Sequence, residues 1–185
     1  MRKKILIGLG VVAVLLGGFA VVVAVQPGDY KVERSATVAA PPATVFAQVN
    51  DFHKWEGWSP WAKLDPNCKN TFEGPTAGTG AVFKWAGNDD VGEGQMEIVE
   101  SKPDELIRIK LDFVKPFASS CDTVFTFKPE GGATAVTWTM SGKNNFVGKG
   151  FCLFMNMDKM VGADFEKGLA AMKTAAEAKK DNLTP

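Results

Sequence analysis

Residues that could carry out catalysis are few and scattered. His53 is the one histidine of the chain, and no neighbouring nucleophile supports it as a catalytic base, so we expect an exposed helical position. No Walker loop, G-x-S-x-G or G-x-G-x-x-G motif is present. A single histidine gives no Cys/His cluster with zinc spacing. We therefore predict no catalytic residue, no metal site and no cofactor.

The three cysteines leave their pairing open. Cys68, Cys121 and Cys152 are too widely spaced to form a recognisable motif. An odd count in an oxidising compartment leaves at least one thiol unpaired, so at most one bridge can form within the chain. Small apolar filler residues explain the three cysteines equally well.

A second set of residues could bury an apolar molecule. Trp55, Trp58 and Trp61 lie within seven residues, and they could form an aromatic gate at a cavity mouth or simply pack in the core. Adaptable methionines suit variable apolar ligands, although they also fill cores. For every candidate, core packing remains an alternative to ligand contact. The candidate cavity residues are Trp55, Trp58, Trp61, Phe83, Trp85, Met96, Ile98, Phe113, Phe125, Trp138, Met157, Met160, Val161 and Phe165.

The elements that position these residues follow from periodicity. Residues 29–39 alternate as a first strand, Pro41-Pro42 opens a short helix, and a second helical piece ends before Pro60. About six runs of period two follow between residues 71 and 140, separated by turn signals. From Met157 the apolar residues recur at helical spacing. We predict an α+β fold, with a curved antiparallel sheet of about seven strands around one long C-terminal helix, in which Asp158 anchors a loop amide.

An uncharged N-terminal segment predicts a membrane anchor. Residues 5–25 carry no charge, follow Arg2, Lys3 and Lys4, and as a helix span roughly 30 Å. The basic residues should stay in the cytoplasm and the rest of the chain should lie on the other side. A cleaved signal peptide, with small-residue sites ending at Ala20 and Ala24, is the alternative. A buried core helix is disfavoured because the segment has no polar face.

Charge and domain boundaries complete the prediction. The chain has 21 basic and 21 acidic residues, so nothing favours a nucleic-acid partner. We predict an anchor and linker over residues 1–27, one domain over residues 28–180, and a frayed tail over residues 181–185.

Four segments carry a resemblance to a known superfamily. They are Pro41–Phe46, Trp58–Pro66, Gly92–Met96 and Leu153–Gly162. Over about residues 29–178 the chain resembles the START-like superfamily with the helix-grip fold, in its polyketide cyclase/dehydrase-type branch. The resemblance implies a cavity between the sheet and the C-terminal helix. It also implies ligands such as lipids, hormones or polyketides, and catalysis in a minority of members.

Three functional hypotheses follow. The leading one is a membrane-anchored domain that binds a lipid-like or other hydrophobic small molecule. The second is a cyclase/dehydrase-type enzyme that uses the same cavity, which requires a titratable group inside it. The third is a structural or partner-binding domain with a filled core, favoured if Trp85, Met96 and Trp138 pack directly on the helix.

Overall fold

A computed structural model describes residues 2–181 of the chain. The helices are α1 (Arg2–Ala24), α2 (Pro42–Val49), α3 (Phe146–Cys152) and α4 (Met157–Asp181), with a 3-10 helix (Phe52–Gly57) after α2. The strands are β1 (Asp29–Val38), β2 (Lys69–Glu73), β3 (Val82–Ala86), β4 (Glu93–Lys102), β5 (Leu106–Lys115), β6 (Ser119–Glu130) and β7 (Ala133–Lys143). The predicted tail, apart from Asp181 at the end of α4, lies outside the described residues.

The seven strands form one antiparallel sheet in the order β1-β7-β6-β5-β4-β3-β2. Strands β2 to β7 are consecutive neighbours, and β1 pairs with β7. Alternate residues are buried, as in β7, where Val136, Trp138 and Met140 point to the covered face. The register shifts between Ile98 and Glu100, where Val99 breaks the alternation. The predicted α+β fold with a long C-terminal helix is confirmed.

An ion-pair cluster holds α4 against the edge strand β1. The Arg34 guanidinium donates from Nη1 to Asp158 Oδ1 at 2.9 Å and from Nε to Glu166 Oε1 at 2.7 Å. Gly162 lies directly under this guanidinium, and a Cβ there would clash with it. Hydrogen bonding to Arg34 holds the pKa of Asp158 below its usual range. The prediction that Asp158 anchors a loop amide is wrong, because it pairs with β1 from an exposed position.

The packed core fills only one end of the sheet. Helix α2 covers this end, where Phe46 meets Phe127 edge-on with ring centroids 5.4 Å apart. The first residue of β1 pairs with the last residue of β7, so the other end of the sheet lies close to α1. At that end the sheet and α4 leave a space between them.

Helix α1 stands outside the core and meets the domain through its last turns. Its apolar stretch Lys4–Ala24 is long enough to cross a membrane. None of the most apolar 18 residues of that stretch is buried against the rest of the protein. Signal sequences share this length and composition. Val23 is the exception on the helix, at 1% exposure. It packs beside Gly150 of α3, a helix that is absent from the sequence-based prediction.

Candidate functional site

A cavity of about 1330 Å³ occupies the open end of the sheet. One wall is the concave face of strands β3 to β7, and the facing wall is the first part of α4. The 3-10 helix closes one side and α3 lines the mouth. Ligand pockets commonly measure roughly 300–1,000 Å³, so this cavity is large for the size of the domain.

Most of the candidate cavity residues lie around this space. Eleven of the fourteen line it, namely Trp55, Trp61, Phe83, Trp85, Met96, Phe113, Trp138, Met157, Met160, Val161 and Phe165. The other three, Trp58, Ile98 and Phe125, lie instead in the packed core, each at 2% exposure or less. They fall on the expected face of their elements but at or beyond the inner end of the cavity, where α2 and the 3-10 helix cover the sheet.

Stacked aromatic rings form the inner end of the cavity. Trp138 of β7 lies parallel to Phe165 of α4, with centroids 3.9 Å apart, and stacks on Phe125 at 4.8 Å. Trp61 meets both Trp138 and Phe165 edge-on. Offset and edge-on ring pairs add to the stability gained from area burial alone. This stack therefore joins the sheet to α4 at the inner end of the cavity.

The expected aromatic gate is divided between core and cavity. The indole N–H of Trp58 donates to the carbonyl of Gln48 and that of Trp55 to Val49, both at 3.0 Å. These bonds hold both rings against α2, and only Trp55 and Trp61 reach the cavity. Half-buried Trp61 contacts the ring stack of Trp138 and Phe165 at the inner end of the cavity.

A second aromatic wall stands on the far side. Trp85 of β3 meets Phe113 of β5 edge-on at 6.0 Å and is tied by its indole N–H to the carbonyl of Val91 at 3.0 Å. The ring lies over Gly94, where a Cβ would come within 2.6 Å of it. The glycine thus lets the Trp85 ring lie flat along β4 and leaves the space in front of it open.

The hypothesis of a structural or partner-binding domain requires a filled core, and only part of the interior is filled. Trp138 packs directly on α4 through Phe165. Trp85 and Met96 line the cavity instead. The interior is therefore filled at one end and hollow at the other.

Polar groups are distributed unevenly around the cavity. Its buried lining carries the hydroxyl of Thr123. The indole N–H of the lining residue Trp138 is itself enclosed and has no hydrogen-bond partner among residues 2–181. The lining carboxylates Glu56, Asp89 and Asp90 are exposed at the opening. Asp164 is half-buried and pairs with Lys167 at 2.9 Å. Three of the four lining carboxylates are therefore exposed and the fourth is paired with a lysine, and the buried lining residues carry no charge.

His53 lies at the surface, as expected. Its side chain is 49% exposed, its Nδ1 lies 2.9 Å from Asp51 Oδ1, and its ring stacks on Phe72 at 4.0 Å. The three cysteines are free thiols. Within the described residues no group of three or more His, Cys, Asp and Glu side chains could hold a metal ion.

Tyr30 and Cys121 form a protonated pair beside the cavity. Burial is the main reason that the pKa of the Tyr30 hydroxyl lies far above its usual range, and the adjacent Cys121 thiol adds to the effect. Burial also raises the pKa of Cys121 to about 11. Neither group carries charge at neutral pH, so the pair keeps this wall compatible with an apolar ligand.

Several lining residues were not among the candidates. Leu111 and Met140 lie on strand faces that the alternation marks as apolar, so that signal was available for them. Val147 and Phe151 belong to α3, whose apolar residues are not buried and show no clear periodicity. Thr123 shares the face of Phe125 on β6, but its hydroxyl does not fit the apolar pattern, and Tyr30 gave no recognisable signal as a lining residue.

One known protein family matches most of the chain. The sequence pattern of the family described as polyketide cyclase/dehydrase and lipid transport matches residues 29–177. No curated protein matches the chain.

Three solved structures share the fold. A Rhizobium leguminosarum protein aligns with a TM-score of 0.59 at 13% identity, over 81% of this chain and 95% of its own. Protein CV1439 from Chromobacterium violaceum aligns with a TM-score of 0.57 at 15% identity, over 82% of this chain and 99% of its own. DynU16, from the dynemicin biosynthetic locus, aligns at 0.55 and 16% identity, over 80% of this chain and 47% of its own. At these identities the likeness concerns the fold alone.

Proposed function

The chain belongs to the polyketide cyclase/dehydrase and lipid transport family, and we propose that it is a membrane-anchored member that binds a lipid-like or other hydrophobic small molecule. The ligand occupies the cavity between the sheet and α4. The family is one of hydrophobic-ligand binders. The proposed anchor and the cavity both favour a ligand that partitions into lipid.

The observation that carries the proposal is the large apolar cavity at the open end of the sheet. Its walls are aromatic rings and methionines, while its carboxylates lie at the rim. Burying about 300 Å² of apolar ligand surface favours binding by about 7 kcal/mol before the costs of association. A neutral inner surface gives no comparable gain to a charged solute, because a charge would lose its hydration there without a partner.

Helix α1 supports retention of the anchor. Phe19 contacts Phe154, and Lys149 donates to the carbonyl of Ala24 at 3.2 Å. Cleavage after Ala20 would remove the Phe19 contact from the domain. Cleavage after Ala24 would also remove the buried side chain of Val23 and the carbonyl that accepts from Lys149. We propose residues 1–27 as anchor and linker and residues 28–180 as the ligand-binding domain. We also propose that the domain lies on the extracytoplasmic side, because Arg2, Lys3 and Lys4 precede the apolar stretch and positive charges favour the cytoplasm.

A pair of tryptophan substitutions on β5 tests ligand binding. Leu111 points into the cavity, and its neighbour Lys110 points to solvent on the other face of the same strand. Leu111→Trp should fill ligand space. It should weaken binding about tenfold or more, because overpacking a filled site costs about 1–3 kcal/mol. Lys110→Trp adds the same ring outside the cavity and should leave binding unchanged.

The measurement is a fluorescence titration of the full chain in detergent with an NBD-labelled fatty acid. Native mass spectrometry of the same preparation detects any copurified small molecule. Saturable binding that Leu111→Trp weakens and Lys110→Trp does not is the expected result. Absence of saturable binding and of any retained molecule in the wild-type chain would overturn the proposal.

A further inference from the structure

The mouth of the cavity and the end of α1 lie at the same end of the domain. Strand β1 begins at Asp29, soon after α1 ends at Ala24, and Asp29 pairs with Lys143 at the end of β7. The turn between β5 and β6 lies at this end as well, because the strands alternate in direction. Phe117 from that turn and Val147 and Phe151 from α3 line the mouth.

Large apolar side chains are exposed around this mouth. We call them the apolar apron, and they are Phe117, Phe146, Val147, Phe151, Phe154 and Met155. Phe154 is 79% exposed and Phe117 70%. Soluble domains rarely leave so many large apolar groups in water at one place, and such groups mark a binding surface.

Contacts with α1 fix the depth of the apron along the membrane normal. The rings of Phe19 and Phe154 are 6.2 Å apart. Phe19 lies five residues before the end of α1, or about 7 Å back along the helix at 1.5 Å per residue. If α1 spans the bilayer, Phe154 therefore lies at the depth of the apolar stretch. Interfacial protein segments typically bury their apolar groups about 5–10 Å deep, which agrees with this depth.

The side chain of Lys149 fits the same placement. It belongs to α3, and its Nζ reaches the carbonyl of Ala24 at the end of α1. A lysine stem can run along apolar surface while its ammonium stays at the polar interface. The apolar groups of α3 and the following turn thus lie toward the bilayer and the charged group at its boundary.

We propose that the apolar apron inserts into the lipid leaflet around the end of α1, so that the cavity opens into the acyl region of the bilayer. Ligands then pass laterally between membrane and cavity without crossing water. The inference rests on the proposed anchoring and ligand binding, and it restricts the ligand to molecules that partition into lipid. A bilayer is the occupant because the apron is continuous with a helix of membrane-spanning length.

Depth-dependent quenching tests the insertion without any ligand. In a Cys68→Ser/Cys152→Ser background, where Cys121 stays buried, Phe154→Cys is labelled with NBD in the full chain in phosphatidylcholine nanodiscs. Glu130→Cys, at the end of β6 and at the opposite end of the sheet, is the matched control. Nitroxide lipids labelled near the headgroup should quench the probe at position 154 and blue-shift its emission, with little effect at position 130.

Each outcome decides for or against insertion. Equal, weak quenching at both positions means that the apron faces water and overturns the proposal. A blue-shifted but unquenched probe at position 154 means that protein covers the apron, either a second copy or another partner, and overturns it as well.

A second measurement tests the lateral route. Phe146 and Phe154 lie outside the cavity lining, so Phe146→Ser/Phe154→Ser should leave NBD-fatty-acid affinity in detergent unchanged. Transfer of the same probe from nanodisc to cavity should slow about tenfold, because the apron no longer favours the leaflet. Phe146→Leu/Phe154→Leu should restore the rate, and Val99→Ser, an exposed apolar site on β4, should not alter it.

The two proposals fail in different ways. Unchanged transfer in Phe146→Ser/Phe154→Ser overturns the lateral route while ligand binding stands. Quenching at position 154 combined with no binding in detergent overturns the ligand-binding function while insertion stands.

Discussion

At the scale of single residues, the inner cavity combines apolar rings with a few neutral polar groups. The indole N–H of Trp138 is buried and unpaired within the described part of the chain. An unsatisfied buried donor costs about 1–3 kcal/mol. Less than 1 Å² of this nitrogen is exposed, so a ligand in the cavity cannot reach it. The N–H of Trp138 therefore adds no polar group to the cavity surface.

The thiol of Cys121 gives a pH-dependent prediction. Burial raises its pKa to about 11, and only the thiolate reacts with iodoacetamide. At pH 8 about 0.1% of such a thiol is ionised, so alkylation should be slow and should rise about tenfold per pH unit. Peptide mass spectrometry of the full chain in detergent, after timed alkylation between pH 7 and pH 10, measures the rate.

The same cysteine in the unfolded chain is the control. In urea its alkylation should level off near pH 9, because an unperturbed cysteine has a pKa of about 8.5. A folded-state rate that also levels off by pH 9 would contradict the buried, protonated thiol.

At the scale of elements, one arginine and one glycine set how α4 meets the sheet. The Arg34 guanidinium occupies the position that a side chain at residue 162 would need. It also donates from Nη2 to the backbone carbonyl of Asp158 at 3.0 Å, so it cannot move aside without losing bonds to α4. The close approach of α4 to β1 at Gly162 and the ion pairs of Arg34 therefore depend on each other.

Substituting Gly162 should change stability in opposite directions depending on Arg34. Gly162→Ala gains about 1 kcal/mol of helix propensity but loses about 1–3 kcal/mol to overpacking against the guanidinium. The wild-type background should therefore be destabilised. In an Arg34→Ala background the clash is gone, and Gly162→Ala should stabilise by up to about 1 kcal/mol. Urea unfolding of the full chain in detergent, followed by circular dichroism, gives the four free energies.

Equal effects in both backgrounds would contradict this account. They would mean that residue 162 does not meet Arg34 and that the helix position is set elsewhere, for example by the Trp138–Phe165 stack.

The strands could be predicted because alternation reports burial on one face. Ile107, Ile109, Leu111 and Phe113 all point to the covered face of β5, as their spacing indicates. Helix α3 could not be predicted in this way. None of its residues is buried, and Gly148 and Gly150 lower its helix propensity, so its sequence has no core-facing pattern.

Alternation gives the face of a residue but not its distance from the packed end. Ile98 and Met96 share a face of β4, yet Ile98 lies in the core and Met96 lines the cavity. The difference depends on where α2 and the 3-10 helix cover the sheet, which is a tertiary contact. The sequence likewise does not distinguish core from cavity for Trp58, because its bond to the Gln48 carbonyl is a tertiary contact.

At the scale of the whole molecule, the fold is polarised along its strands. The packed end, with Val38, Phe127 and Val136, lies away from α1, and the hollow end lies next to it. Under the proposed anchoring, a membrane span near the mouth would confine the cavity to the region where lipid-soluble molecules concentrate. A soluble domain with the same interior would have to collect its ligand from water.

Orientation in the membrane is the last prediction. Arg2, Lys3 and Lys4 precede the apolar stretch, and positive charges are retained in the cytoplasm, so Glu130 at the packed end should face the extracytoplasmic side. Glu130→Cys, in the Cys68→Ser/Cys152→Ser background, should react with a membrane-impermeant maleimide in intact spheroplasts. Arg2→Gln/Lys3→Gln/Lys4→Gln removes the charge bias and should lower that labelling. Reaction only after lysis would reverse the orientation, and a soluble product beginning after Ala20 or Ala24 would replace the anchor with a cleaved signal.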